Sequence, residues 1–123
     1  MPTANIVEKK IRLDLLDIVR FQLLSYSFMH NVSFSNAELE CLALLAISGE
    51  SDLSEFCNIT VDYNVFKVSQ TARNFLTKME KEGIVIKKGK SRKTVSISDS
   101  LQIQTQGNIV LNYKIFYIDT QES

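Results

Sequence analysis

The chain has 123 residues, 45% of them hydrophobic and 23% charged, and its 14 basic and 14 acidic residues cancel to a formal net charge of zero. This size and mix predict a single domain, residues 1–123, with a core of its own, and exclude a disordered polyelectrolyte. The chain has no run of about 18 apolar residues, which excludes a transmembrane helix. Its opening MPTANIVEKK lacks the apolar stretch of a signal peptide, so a cytoplasmic location without a membrane partner is expected.

Residues 5–13, NIVEKKIRL, alternate in part and predict a strand. Asp14 stands where an N-cap would, with Asp17 three residues on. Leu15, Ile18, Val19, Gln22, Leu23 and Tyr26 then recur at helical spacing, predicting a helix to about Phe28 with that face inward. Such a broad face suits either a core or a subunit interface, and core is the reading taken. Residues 30–34, HNVSF, form a connector. Ser35-Asn36-Ala37-Glu38 has the spacing of a capping box, followed by Leu39, Leu42, Ala43, Leu45 and Ala46 and a stop at Gly49. Asp52-Leu53-Ser54-Glu55 repeats the cap for a short third helix with Leu53, Phe56 and Cys57 inward. Residues 58–68, eleven in all, read as a connector holding Tyr63, Val65 and Phe66.

Ser69 is the expected N-cap of a helix over 70–82, whose Ala72, Phe75, Leu76 and Met79 form one apolar stripe and which Gly83 ends. Ile84, Val85 and Ile86 predict a strand, residues 87–93 a polar turn containing Gly89, and residues 94–98 a second strand. Residues 98–108 are a polar connector in which Leu101 and Ile103 suit a short strand. Residues 109–118, IVLNYKIFYI, are rich in β-branched and aromatic types; they predict a strand that pairs with 5–13 and joins the termini.

The stretch 67–97, KVSQTARNFLTKMEKEGIVIKKGKSRKTVSI, resembles the second half of a winged-helix (winged helix-turn-helix) domain. The helix start S-Q-T-A-R-N-F-L, the helix end L-T-K-M-E-K-E-G-I-V and the wing K-K-G-K-S-R-K carry the match, which spans roughly residues 35–98. The resemblance implies an α+β fold: a winged helix-turn-helix extended by an N-terminal strand and helix (5–30) and a C-terminal strand (109–118). It also implies that the third helix braces a recognition helix. The eleven-residue connector departs from the usual turn of three or four residues.

Charge is unevenly placed. Residues 67–93 hold nine basic and two acidic residues, a net of +7, which leaves −7 on the remainder. One reading is a solvated, lysine-rich turn that keeps a hairpin soluble; the other is an electropositive face. With the winged-helix elements at the same place, duplex DNA is the expected partner. Gln70, Arg73, Asn74, Thr77 and Lys81 lie opposite the apolar stripe, with Thr71 and Lys78 beside them. Arginine can fork onto guanine, and asparagine or glutamine onto adenine. Lys87, Lys88, Lys90, Arg92 and Lys93 on the wing suit phosphates or a minor groove.

Enzyme chemistry has no visible support: His30 is the single histidine, at a helix end, and no nucleophile elbow, phosphate loop or zinc-protease motif occurs. Cys41 and Cys57 fall in apolar helical patterns, where buried free thiols are expected rather than a disulfide or metal site, and no cofactor is implied. A non-enzymatic DNA-binding protein, a regulator or DNA-associated factor, is the leading expectation. The alternative is a phage virion or assembly protein, a ring or connector subunit at a head–tail junction. The leading reading implies a homo-oligomer, a discrete dimer on duplex, whereas the alternative implies higher oligomers that contact neighbouring virion subunits, in the host cytoplasm or the virion.

Overall fold

Short side chains hold the first backbone N–H groups of three helices, as the sequence predicts. The computed structural model describes residues 14–106; the expected strands at 5–13 and 109–118, and their pairing, lie outside it. Asp14 accepts from Asp17 N at 3.0 Å and opens α1, Leu15–His30. Ser35 and Glu38 complete a reciprocal capping box for α2, Asn36–Ser48. Asp52 accepts from Glu55 N at 3.0 Å ahead of α3, Leu53–Asp62. These are bonds across three residues, set by local sequence.

α1 runs two residues past the expected Phe28, because Asn31 takes up a left-handed conformation (φ 55°) and Val32 N closes onto Ser27 O at 2.9 Å. Its inward face is also rotated from the expectation. Val19, Leu23 and Ser27 are buried, whereas Leu15 stays exposed and Ile18 and Gln22 are only half-buried.

The eleven-residue connector is corrected by the structure. α3 continues through Ile59, Thr60 and Val61 to Asp62, leaving six residues, 63–68, before α4, Ser69–Lys81. β-branched residues lower helix propensity, but tertiary packing overrides that here. Thr60 is fully buried and its hydroxyl donates to Cys57 O at 2.6 Å. Its carbonyl accepts from Val65 N and Phe66 N, folding the turn under the helix. Val65 is buried, and Phe66 meets Phe75 at a centroid separation of 6.1 Å, which fixes α4 against the turn.

Ser69 is not the cap. It is the first residue of α4; extended Val68 precedes it without a side-chain cap bond, and Val68 O takes the first backbone bond, from Thr71 N at 3.2 Å. The stop falls where expected. Gly83 adopts φ 77°, Gly83 N bonds Glu80 O and Ile84 N bonds Met79 O, the paired closure that favours glycine at this position.

β2, Val85–Lys88, and β3, Thr94–Ile97, pair antiparallel in the register Val85↔Ile97 to Lys88↔Thr94. A two-residue strand β1, Ser51–Asp52, joins the free edge of β3, giving the order β1-β3-β2. β1 was not expected, since nothing marks it but its partner. Residues 98–106 carry a 3₁₀ turn at Asp99–Leu101 in place of the suggested strand. The described residues thus form an α+β fold of four helices and a small antiparallel sheet. Val19, Leu23, Leu42, Leu45, Phe56, Leu76, Ile84 and Val95 share one core. No helix among them is long and apolar enough to cross a membrane.

Both cysteines are buried free thiols in this core. Burial, with Cys57 and Glu38 adding, pushes the Cys41 thiol from its ordinary 9.0 up to about 12. Burial also raises Cys57, against the lowering pull of Arg73 and Lys87. Thiolate is the reactive form, so burial and the raised pKa together suppress the reactivity of folded Cys41 near neutral pH. A chromogenic disulfide reagent should titrate both cysteines promptly in denaturant and far more slowly in the folded protein. Prompt labelling of folded Cys41 would contradict its burial.

Candidate nucleic-acid interface

α4 turns Ala72, Phe75, Leu76 and Met79 into the core. At 100° per residue the opposite side carries Gln70, Asn74, Thr77 and Lys81. Gln70, Asn74 and Lys81 are exposed, and so are Thr71 and Lys78 along one edge. Gln70 Nε2 donates to Asn74 Oδ1 at 2.8 Å, so two amides on successive turns are held together facing solvent. Thr77 is half-buried, its hydroxyl donating to Arg73 O at 3.0 Å.

The other edge of α4 faces the hairpin and α3. Arg73, expected among the outward residues, is half-buried there and donates from Nη2 to Ser54 Oγ at 3.0 Å. Lys87 and Lys88, expected on the turn, lie within β2, and the Lys87 ammonium donates to Thr77 Oγ1 at 3.0 Å. Arg92 forms an ion pair with Glu80, whose side chain is only 18% exposed, against 66% for Arg92. These contacts tie the β2–β3 turn alongside α4. The turn itself is tight: Arg92 N closes onto Gly89 O at 3.0 Å, with Ser91 and Arg92 left-handed at φ 63° and 54°.

Lys88, Lys90 and Lys93 stand exposed at the end of the hairpin. Neither they nor Lys78 and Lys81 form an ion pair among the described residues. Arg73, Arg92 and Lys93, with Asp52, Leu53, Ser54 and Ser91, line an open recess of about 350 Å³ between the start of α3 and the turn. Unpaired ammonium groups beside an amide-bearing helix suit a polyanion, with hydrogen-bonding groups for base edges next to point charges for phosphates. Asp52 and Glu80 moderate the charge locally.

The structure therefore gathers the expected residues into two sets. Gln70, Thr71, Asn74, Lys78 and Lys81 line the open side of the helix, and Lys88 at the end of β2 stands with Lys90, Arg92 and Lys93 of the turn. It draws Arg73, Thr77 and Lys87 into the joint between them. Ser54, Ser91 and Glu80 belong to that joint and were not read as part of the site. Their partners are 10 to 20 residues away in sequence or set by the turn's shape, beyond the reach of periodicity. Comparison of the chain with protein-family models, curated proteins and solved structures returned no match.

Proposed function

We propose that this chain is a non-enzymatic DNA-binding protein of winged helix-turn-helix architecture. α4 would enter the major groove and the β2–β3 turn would lie on the backbone. One observation carries this reading: the exposed amide and lysine side of α4 is flanked by an exposed lysine turn tied to it through Arg92–Glu80 and Lys87–Thr77. The shortened connector supports it too, since six residues between α3 and α4 lie closer to a helix-turn-helix than eleven would.

Roles divide by position. Asn74 and Gln70 suit base edges, where a bidentate amide is worth about 1–3 kcal/mol of discrimination. Arg73, at the recess beside Ser54, suits a phosphate. Asn74→Ala is therefore expected to relax preference at a single base pair by about 1–3 kcal/mol. Arg73→Ala should weaken all duplexes alike and lower the salt slope by about one. The first experiment is binding of the purified protein to mixed duplex at about 50 and about 200 mM salt, the range over which phosphate contacts show, with mass by light scattering on the same sample. Tight binding that collapses with salt supports the reading. No duplex binding, or binding only by a large ring, would move the turn into a protein interface and leave the assembly-subunit alternative.

A further inference from the structure

Arg73 is half-buried, yet among the described residues no carboxylate pairs with it. Its bond from Nη2 to Ser54 Oγ engages one of the guanidinium's several donors. A charge partly withdrawn from water without a counter-ion favours an anion beside it. Space for one adjoins it, the open recess of about 350 Å³ between the start of α3 and the β2–β3 turn.

The recess draws donors from three parts of the chain. Lys93 O accepts from Leu53 N at 2.6 Å, which seats the end of the turn against α3 and brings Lys93 to the same rim as Arg73. Lys93 is exposed and, like Arg73, forms no ion pair among the described residues. Ser54 accepts from Arg73 and keeps its hydroxyl proton to donate. Two acidic groups moderate the charge: Glu80 of α4 holds Arg92, and Asp52, on the rim, caps Glu55 N at 3.0 Å. Unpaired cations from α4 and the turn, with a hydroxyl from α3, suit the three terminal oxygens and double charge of a phosphomonoester. A phosphodiester offers fewer such oxygens and a single charge. We propose that this recess binds a phosphomonoester, its phosphate on Arg73, Lys93 and Ser54 and its ester group toward solvent. The ester group belongs either to a free small molecule or to the 5′ end of a nucleic-acid strand. The site itself stands without the DNA-binding reading; only the strand-end source rests on it.

Methyl phosphate and dimethyl phosphate, titrated into the isotope-labelled full chain and followed by NMR, test it. Ionic strength is held constant and the pH kept above about 6, where the monoester gains its second charge. Methyl phosphate should shift the signals of the Ser54, Ser91 and Lys93 amides and of Arg73 Nε saturably, and bind at least about tenfold more tightly than the diester. Arg73→Gln should weaken it at least about tenfold, the loss of a charge-assisted bond, while amide signals from α2 and β2 stay in place and show the variant folded. Lys67→Gln, exposed and outside the recess, should leave the affinity unchanged. Once methyl phosphate binds, its natural source is read from one duplex with and without a 5′-phosphate. A preference for the phosphorylated end that Arg73→Gln removes assigns the strand end; equal affinity, or no duplex binding at all, assigns a free phosphorylated molecule. Three results would overturn the proposal: no saturable shift at millimolar methyl phosphate, equal affinity for the diester, or an Arg73→Gln affinity no weaker than that of Lys67→Gln.

Discussion

Phe56→Ala is expected to destabilise the domain by about 3–5 kcal/mol, the cost of removing a large aromatic from a packed core. Phe56 is 0% exposed on the inner face of α3, in the same cluster as Leu42, Leu76 and Val95. Domains of this size hold only about 5–15 kcal/mol in total, so the variant would sit near the limit of folding. At about 4–8 °C per kcal/mol the midpoint should fall by more than about 12 °C in a thermal melt. Tyr63→Ala, on the neighbouring turn but 66% exposed, should change stability by no more than about 0.5 kcal/mol. A loss below about 1 kcal/mol for Phe56→Ala would mean that α3 does not pack as described.

The second large effect concerns the turn. Under the proposed DNA-binding role, replacing Lys88, Lys90 and Lys93 together with glutamine removes three phosphate contacts. Each contributes about 0.9 to the slope of log affinity against log salt, so the slope should shallow by about 2.7 and affinity at about 50 mM salt should fall roughly 10³-fold. The three side chains are exposed, so the thermal midpoint should hardly move. Glu80→Gln acts in the opposite direction. Arg92 is held by Glu80 in the free protein, and a phosphate must compete for it; neutralising Glu80 should tighten duplex binding and steepen the slope by up to about one contact. Titrating labelled duplex into each variant across a salt series gives both slopes. If the triple variant keeps the parent's slope, the turn does not contact DNA.

Much of the helical framework was legible in the sequence because its signals are local. The caps at Asp14, Ser35 and Asp52 each bond a backbone group three residues away. The glycine at 83 ends α4 through bonds to the preceding turn. The apolar stripe of α4 was read correctly because polar residues surround it and the period stands out. α1 misled for the opposite reason: with apolar residues on two sides, spacing alone does not say which side is inward, and the face read from Leu15 and Ile18 was rotated from the buried one.

In the candidate site, the residue types were legible and their grouping was not. Gln70, Asn74, Lys78 and Lys81 follow from the stripe on the opposite side of the same helix. Arg73's bond to Ser54 spans 19 residues, Lys87's bond to Thr77 spans 10, and Arg92's bond to Glu80 spans 12. Each depends on where the hairpin and α3 come to lie, which no window along the chain contains.

The same division describes the whole protein. Its sequence by itself determined where three of the helices begin, where two of them stop, the hairpin after α4 and the placement of positive charge, because bonds within about four residues and side-chain types decide those. Only the tertiary structure decided the length of α3, where a buried Thr60 and its twice-used carbonyl outweigh β-branched propensity. It also decided β1, two residues that exist as a strand through pairing with β3, and the clamp of Gln104 on Gln22 across 82 residues. In each case the favourable free energy comes from a partner distant in the chain, and it appears only once packing has brought the two together.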